Sequence, residues 1–202
     1  MGTRRPSGAT WRSRKPCRWF DCYGGKDFRG SLKLYTGGES DKSECHHEGI
    51  EKTGIIVAEG YDYEIIKKAY RPQDDLSLLV TLKANGTIEK TVIGSLAESL
   101  TVDRHDAADW NRLKEIFASN TLQMVSFTIT EKGYSITSPD GAFRADVKAD
   151  FEAGPENADS YIGKLAALCY WRYTQGAAPL ALVSMDNCSH NGEKLQSSVM
   201  TV

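Results

Sequence analysis

Two groups of residues in this 202-residue chain have the types and spacing to do chemistry. The first is Cys45-His46-His47-Glu48 with Cys17 and Cys22, all potential zinc ligands. Adjacent histidines do not easily face one metal, and the spacing matches no standard finger. No pair among the five cysteines has C-x-x-C spacing, so the expectation is incidental thiols rather than a metal centre. The second group is three polar segments, each following an apolar run: Glu59, Thr128 to Tyr134, and Ser184 to Gly192. They place carboxylates, hydroxyls and amides where strands are expected to end. In open α/β sheets, ligands bind at the carboxyl ends of strands.

The elements that would position these segments follow from periodicity. Gly54 to Ala58 reads as a buried strand ending at Glu59, and Asp62 to Tyr70 as a short helix closed by Arg71-Pro72. Leu76 to Lys83 and Ile88 to Gly94 alternate around Asn85-Gly86, the favoured type I′ hairpin pair. Asp106 is a good N-cap for a helix with Ala107, Trp110, Leu113 and Ile116/Phe117 facing inward. Gln123 to Thr128 is a second buried strand, and Ser138-Pro139-Asp140-Gly141 is turn chemistry. Pro155 suits the first turn of a long helix carrying Ala158, Ile162, Leu165 and Leu168/Cys169 inward and ending at Gly176. Leu180 to Met185 is a strand, and residues 191–202 read as a helix. The order predicts an α/β fold: a Rossmann-like, mostly parallel sheet with an inserted β-hairpin.

Composition narrows the classes. The net charge is −2, which gives no general pull toward nucleic acid or acidic membrane. The basic start of the chain lacks an apolar h-region, so it is no secretory signal, and a reducing cytoplasm is the expected compartment. Residues 1–18, with Arg4, Arg5, Arg12, Arg14, Lys15 and Arg18, read as a basic disordered tail.

The segments TITEKGY (Thr128 to Tyr134) and SMDNCSHNGEKL (Ser184 to Leu195) resemble the mannitol dehydrogenase family of long-chain polyol dehydrogenases. That family includes fructuronate reductase (mannonate oxidoreductase) and tagaturonate reductase. The resemblance covers residues 53–202 in good register. TITEKGY and the D-N-x-x-x-N-G core (Asp186, Asn187, Asn191, Gly192) carry it as a pair. The family opens with a tryptophan-led strand and a glycine loop, and Trp19 to Gly30 keeps that register with departures. Gly24, Gly25, Phe28 and Arg29 align, but Tyr23 replaces the first glycine, Lys26 the usual Asn, and Asp27 brings negative charge toward a diphosphate. The stretch Ser31 to Glu51 resembles no family helix. A damaged 5′ coding region would account for residues 1–52 as a whole.

The resemblance implies NAD as cofactor and a sugar or polyol substrate. The reaction would be hydride transfer between a polyol or aldonate (mannitol, mannonate) and its ketose or keto-uronate. Glu59 would take both adenosine ribose hydroxyls and disfavour a 2′-phosphate, with Asp62 the nearby alternative. Thr128, Thr130 and Glu131 would pass close to the nicotinamide ribose, with Gly133 permitting close approach and Lys132 solvated. Asn187 carries over as the amide donor that stabilises the substrate oxygen as charge develops on it. Asp186 would orient this loop or bind substrate hydroxyls. His190 would be a substrate contact or a surface histidine, and Asn191 a substrate-side residue that also suits a helix-start turn.

The family's general base is a lysine on a second, helical domain, and no residue before Val202 matches it. Residues 19–202 thus read as a partial Rossmann-type domain, atypical over 19–52. The rival readings are a degenerate α/β remnant without ligand and a small metal module over residues 17–48. The purified chain is expected to show no turnover of mannitol, mannonate or fructuronate with NAD, followed as NADH absorbance. Detectable turnover would contradict this.

Overall fold

The computed structural model describes residues 31–37, 53–176 and 178–202. The basic tail, the Trp19–Gly30 loop with Gly24, Gly25, Phe28 and Arg29, and the Cys17/Cys22/Cys45–Glu48 constellation lie outside the described residues.

The main sheet has five strands: β1 (Ser31–Gly37), β2 (Thr53–Glu59), β5 (Leu96–Thr101), β6 (Leu122–Thr128) and β7 (Ala181–Ser184). Their order is β5-β2-β1-β6-β7. β2 is parallel to β5 and β6 to β7, whereas β1 is antiparallel to both β2 and β6. Four strands therefore share one direction, as expected for a mostly parallel sheet, and the central strand runs against them. An antiparallel strand satisfies both neighbours' ladders as fully as a parallel one. Ser31 lies opposite Glu59 on one side and Thr128 on the other, so β1 begins at the edge where β2 and β6 end.

Alternation along β2 divides the core between the two faces of the sheet. Ile56 and Ala58 join the large cluster with Leu113 and Phe117 of α2 (Ala107–Ala118) and Leu165 and Leu168 of α5 (Tyr161–Thr174). Val57 points the other way, to Ile66, Tyr70 and Leu96. Strands covered on both faces read as unbroken apolar runs, which is why Gly54 to Ala58 was legible. Arg172 fastens the opposite edge. It is buried, and its guanidinium donates to the carbonyls of Phe117, Ser119, Leu122, Ala178 and Pro179 at 2.6–3.0 Å.

The inserted hairpin is present as β3 (Ser77–Leu82) and β4 (Ile88–Ile93), in a two-stranded sheet of its own. Other expectations need correction. The main-sheet strand is β5, which sequence reading omitted because Glu98 and Ser99 interrupt its apolar run. The hairpin turn is not type I′: Gly86 has φ +82°, while Asn85 does not have positive φ. The longer Lys83–Thr87 loop needs only one left-handed residue. A strand at Ser31–Gly37 and a helix α4 (Ala145–Ala153) were both unexpected. Pro155 opens a short 3-10 turn, and α5 starts later, where Ser160 accepts the Gly163 N–H at 3.0 Å. Asp150 of α4 accepts the N–H groups of Asp159 and Ser160 at 2.7 and 3.1 Å, which fixes that start. Ala107 is exposed rather than inward. Cys169 packs against the core as expected, and burial pushes its thiol up to about 11.

Asp106 caps α2 as read, accepting the Asp109 N–H at 3.3 Å. Asp109 then ties the helix to the sheet. It accepts the N–H and hydroxyl of Thr101, both at 2.7 Å, and Arg71 Nη2 at 2.6 and 2.7 Å. Burial works against its charge, but the Thr101 donors and the Arg71 guanidinium outweigh it and hold the carboxyl below its ordinary range. A carboxylate lowered on folding adds stability above its unfolded pKa, and that stability is lost as pH falls through the folded value. Asp109→Asn is expected to cost about 2–4 kcal/mol at neutral pH. It should also reduce the loss of stability at acid pH. Urea melts between pH 7 and pH 3 check both effects; an unchanged acid limb would contradict the assignment.

Candidate functional site

The three polar segments meet at one edge of the sheet. Glu59 ends β2, Thr128 ends β6, and the loop Met185–His190 follows β7. Ser31 separates Glu59 from Thr128, so their backbones are about 10 Å apart at the usual strand spacing. One strand further lies Ser184, paired beside Phe127. The edge from β2 to β7 covers about 14 Å, so a ligand touching both ends must be extended.

Asp186 organises the β6–β7 side. Its Oδ2 accepts the Ile129 N–H at 2.9 Å and its Oδ1 the Thr130 N–H at 3.0 Å. The Tyr134 hydroxyl donates to Oδ2 and lies 2.6 Å from Ser184 Oγ. Thr130 has φ +63°, a left-handed conformation that a β-branched residue adopts at a cost of about 1–3 kcal/mol. The carboxylate holds that turn, from which α3 (Thr130–Tyr134) starts. Burial, followed by the bond to Asp186, pushes the Tyr134 hydroxyl well above its ordinary range. Of the two uses expected for Asp186, loop orientation is the one these bonds support. Asn191 closes the other side by donating to the Asp186 carbonyl at 2.7 Å, so it too acts on the loop.

Asn187, held between these two fixed residues, is exposed, and its amide has no hydrogen-bond partner among the described residues. His190 opens α6 (Asn191–Thr201) at φ +55°, with Nδ1 3.2 Å from Glu193 Oε2, and it is exposed. Glu131 pairs with Lys194 at 2.5 Å across the surface. The hydrogen bond and charge of Lys194 lower the Glu131 carboxyl, and the same bond raises the Lys194 ammonium. Gly133 does permit a close approach, but to Ile129: a Cβ there would sit 2.9 Å from Ile129 Cβ.

On the β2 side, Glu59 is only 2% exposed. Its Oε1 accepts the N–H groups of Tyr61 and Asp62 at 2.9 and 3.3 Å. Asp62 instead caps α1 (Tyr63–Ile65). The Tyr61 ring stacks on Tyr161, with centroids 5.1 Å apart and planes within 2°. Both tyrosines line a small cleft that also touches Gly133, Ser135, Arg144 and Ser160. Arg144 is committed to Asp146 and to the Ser135 carbonyl. Lys164, buried on α5, donates to the Tyr63 hydroxyl at 3.1 Å.

Sequence reasoning did not single out Tyr134, Tyr161 or Lys164. Tyr134 lay inside the recognised TITEKGY segment, so the signal was present. Tyr161 and Lys164 sit on a helix, where their types suggest ordinary amphipathic positions. Among the described residues no cluster of metal-ligating groups occurs, and no helix is long and apolar enough to cross a membrane.

No family model matches the chain. It is 44% identical over 185 residues to a D-mannonate oxidoreductase from Thermotoga maritima, covering 92% of this chain and 33% of that protein. It is 29% identical over 160 residues to a mannitol 2-dehydrogenase from Cereibacter sphaeroides, covering 72% of this chain and 32% of that protein. Among solved structures, Pseudomonas fluorescens mannitol 2-dehydrogenase in ternary complex with NAD and D-mannitol matches with a TM-score of 0.58 and 28% identity. That match covers 69% of this chain and 28% of the other. The chain thus spans about a third of the length of the curated relatives it matches.

The two adjacent residues Asp186 and Asn187 should separate cleanly by mutation. Asp186→Asn removes one of the two carboxylate oxygens that accept the Ile129 and Thr130 N–H groups and is expected to cost about 1–3 kcal/mol. Asn187→Ala, at an exposed and unbonded position, should stay within about 0.5 kcal/mol. Thermal melts of the two variants check this; equal losses would contradict the division of roles.

Proposed function

We propose, from the premise that the chain matches the mannitol dehydrogenase family in its N-terminal part, that its described residues form the cofactor-facing part of an NAD-dependent oxidoreductase. The reaction class is the interconversion of a polyol or aldonate, such as mannitol or mannonate, with its ketose or keto-uronate. The observation that carries this reading is the sheet edge. There an acidic strand end at Glu59, the Thr128–Glu131 turn and the unbonded Asn187 amide lie along one edge of the sheet.

The residues present fit a dinucleotide. The Tyr161 hydroxyl is buried without a hydrogen-bond partner among the described residues, and the Asn187 amide is exposed. When bound, NAD supplies the hydride acceptor. Glu59 would bind the adenosine ribose hydroxyls and repel a 2′-phosphate. Thr128, Thr130 and Glu131 would line the nicotinamide ribose. Gly24, Gly25, Phe28 and Arg29 are assigned to the diphosphate by their register alone. Asn187 would donate to the substrate oxygen that gains negative charge, with Asp186 and Asn191 fixing its loop and His190 at the substrate side. Tyr134 is not assigned the proton transfer, because it already donates to Asp186.

One observation favours the rival reading of a ligand-free remnant: the central strand Ser31–Gly37 runs antiparallel. Fluorescence transfer on NADH titration separates the two. Saturable micromolar binding, at least about tenfold tighter for NADH than NADPH, is expected. Absence of binding up to millimolar concentration supports the remnant instead.

A further inference from the structure

The Tyr161 hydroxyl has no hydrogen-bond partner among the described residues, although it is buried. The residue is 8% exposed, sits at the first turn of α5 and lines the small cleft together with Tyr61. An unpaired buried hydroxyl costs about 1–3 kcal/mol, so such a group points to a ligand that completes it. We propose that the Tyr161 hydroxyl is a hydrogen-bond donor to a neutral oxygen of the nucleotide cofactor, a sugar hydroxyl or the carboxamide. This rests on the cofactor reading above.

The choice of a neutral oxygen follows from the surroundings. Burial above all, then the neighbouring acidic groups including Glu59 and Asp186, pushes the Tyr161 hydroxyl well above its ordinary range. A phosphate brought here would meet two carboxylates. The arginine lining the cleft cannot compensate, since Arg144 is bonded to Asp146 and to the Ser135 carbonyl. A sugar hydroxyl or amide oxygen pays no such electrostatic cost. The Tyr61 ring lines the same cleft, stacked with its plane parallel to that of Tyr161. It is joined to β2 through the two-residue step from Glu59, whose carboxylate accepts the Tyr61 N–H. The same loop therefore carries both the residue assigned to the ribose and the ring stacked on Tyr161.

The test is Tyr161→Phe in the full chain, with two readouts. NADH affinity should weaken by about 3- to 10-fold, the value of one neutral hydrogen bond. Thermal stability should stay equal or rise, because the variant removes an unsatisfied buried group. A merely structural tyrosine would show no affinity change. Titration with ADP-ribose locates the acceptor: an equal loss assigns a sugar hydroxyl, and no loss assigns the carboxamide. Unchanged NADH affinity in a stable Tyr161→Phe overturns the donor role alone. Failure of the unmutated chain to bind NADH overturns the cofactor reading and this inference together.

Discussion

A single carboxylate determines the geometry of the candidate site. Asp186 accepts from Ile129, Thr130 and Tyr134 with its side chain, and from Asn191 with its carbonyl. Those four contacts join the end of β6, the short helix α3, the end of β7 and the start of α6. The two backbone bonds pin Thr130 in a conformation that its side chain disfavours. They also leave the next residue, Asn187, facing outward with its amide unspent. An amide that must meet a developing charge is useful only if its position is fixed beforehand. Here a neighbouring charged group provides that fixation.

The same arrangement recurs at other joints. Asp109 binds α2 to the end of β5 and to Arg71, and Asp150 binds α4 to the start of α5. In each case a buried carboxylate on one element accepts backbone N–H groups of another. Arg172 does the converse at the far edge, donating to five carbonyls. Buried charges are tolerated when hydrogen bonds replace the lost water. In this fold they mark joints where a helix is attached to its neighbouring element.

Much of this was legible in the sequence because it rests on local pattern. The unbroken Ile55–Ala58 run, the Asp106 cap and the face Trp110, Leu113, Ile116 and Phe117 each follow from burial or capping over a few residues. The D-N-x-x-x-N-G segment located the site loop. What escaped was set by tertiary partners. β5 carries Glu98 and Ser99, and their acceptability depends on Arg112 and on Asp75, distant in sequence. The structural duty of Asp186 is visible only once Ile129 and Thr130 are beside it. Tyr161 looks like one more helix residue until its hydroxyl is found without a partner. The direction of the central strand was not legible either, since alternation of side chains is the same whichever way a strand runs.

The proposed function requires the edge formed by the ends of β2, β6 and β7 to hold the nucleotide. Amide chemical-shift mapping of the labelled chain during NADH addition tests it most directly. Saturable shifts are expected at Glu59–Asp62, Thr128–Ser135 and Ser184–Asn191, with the hairpin Ser77–Ile93 unmoved. Shifts confined to the hairpin, or none at all, would contradict it.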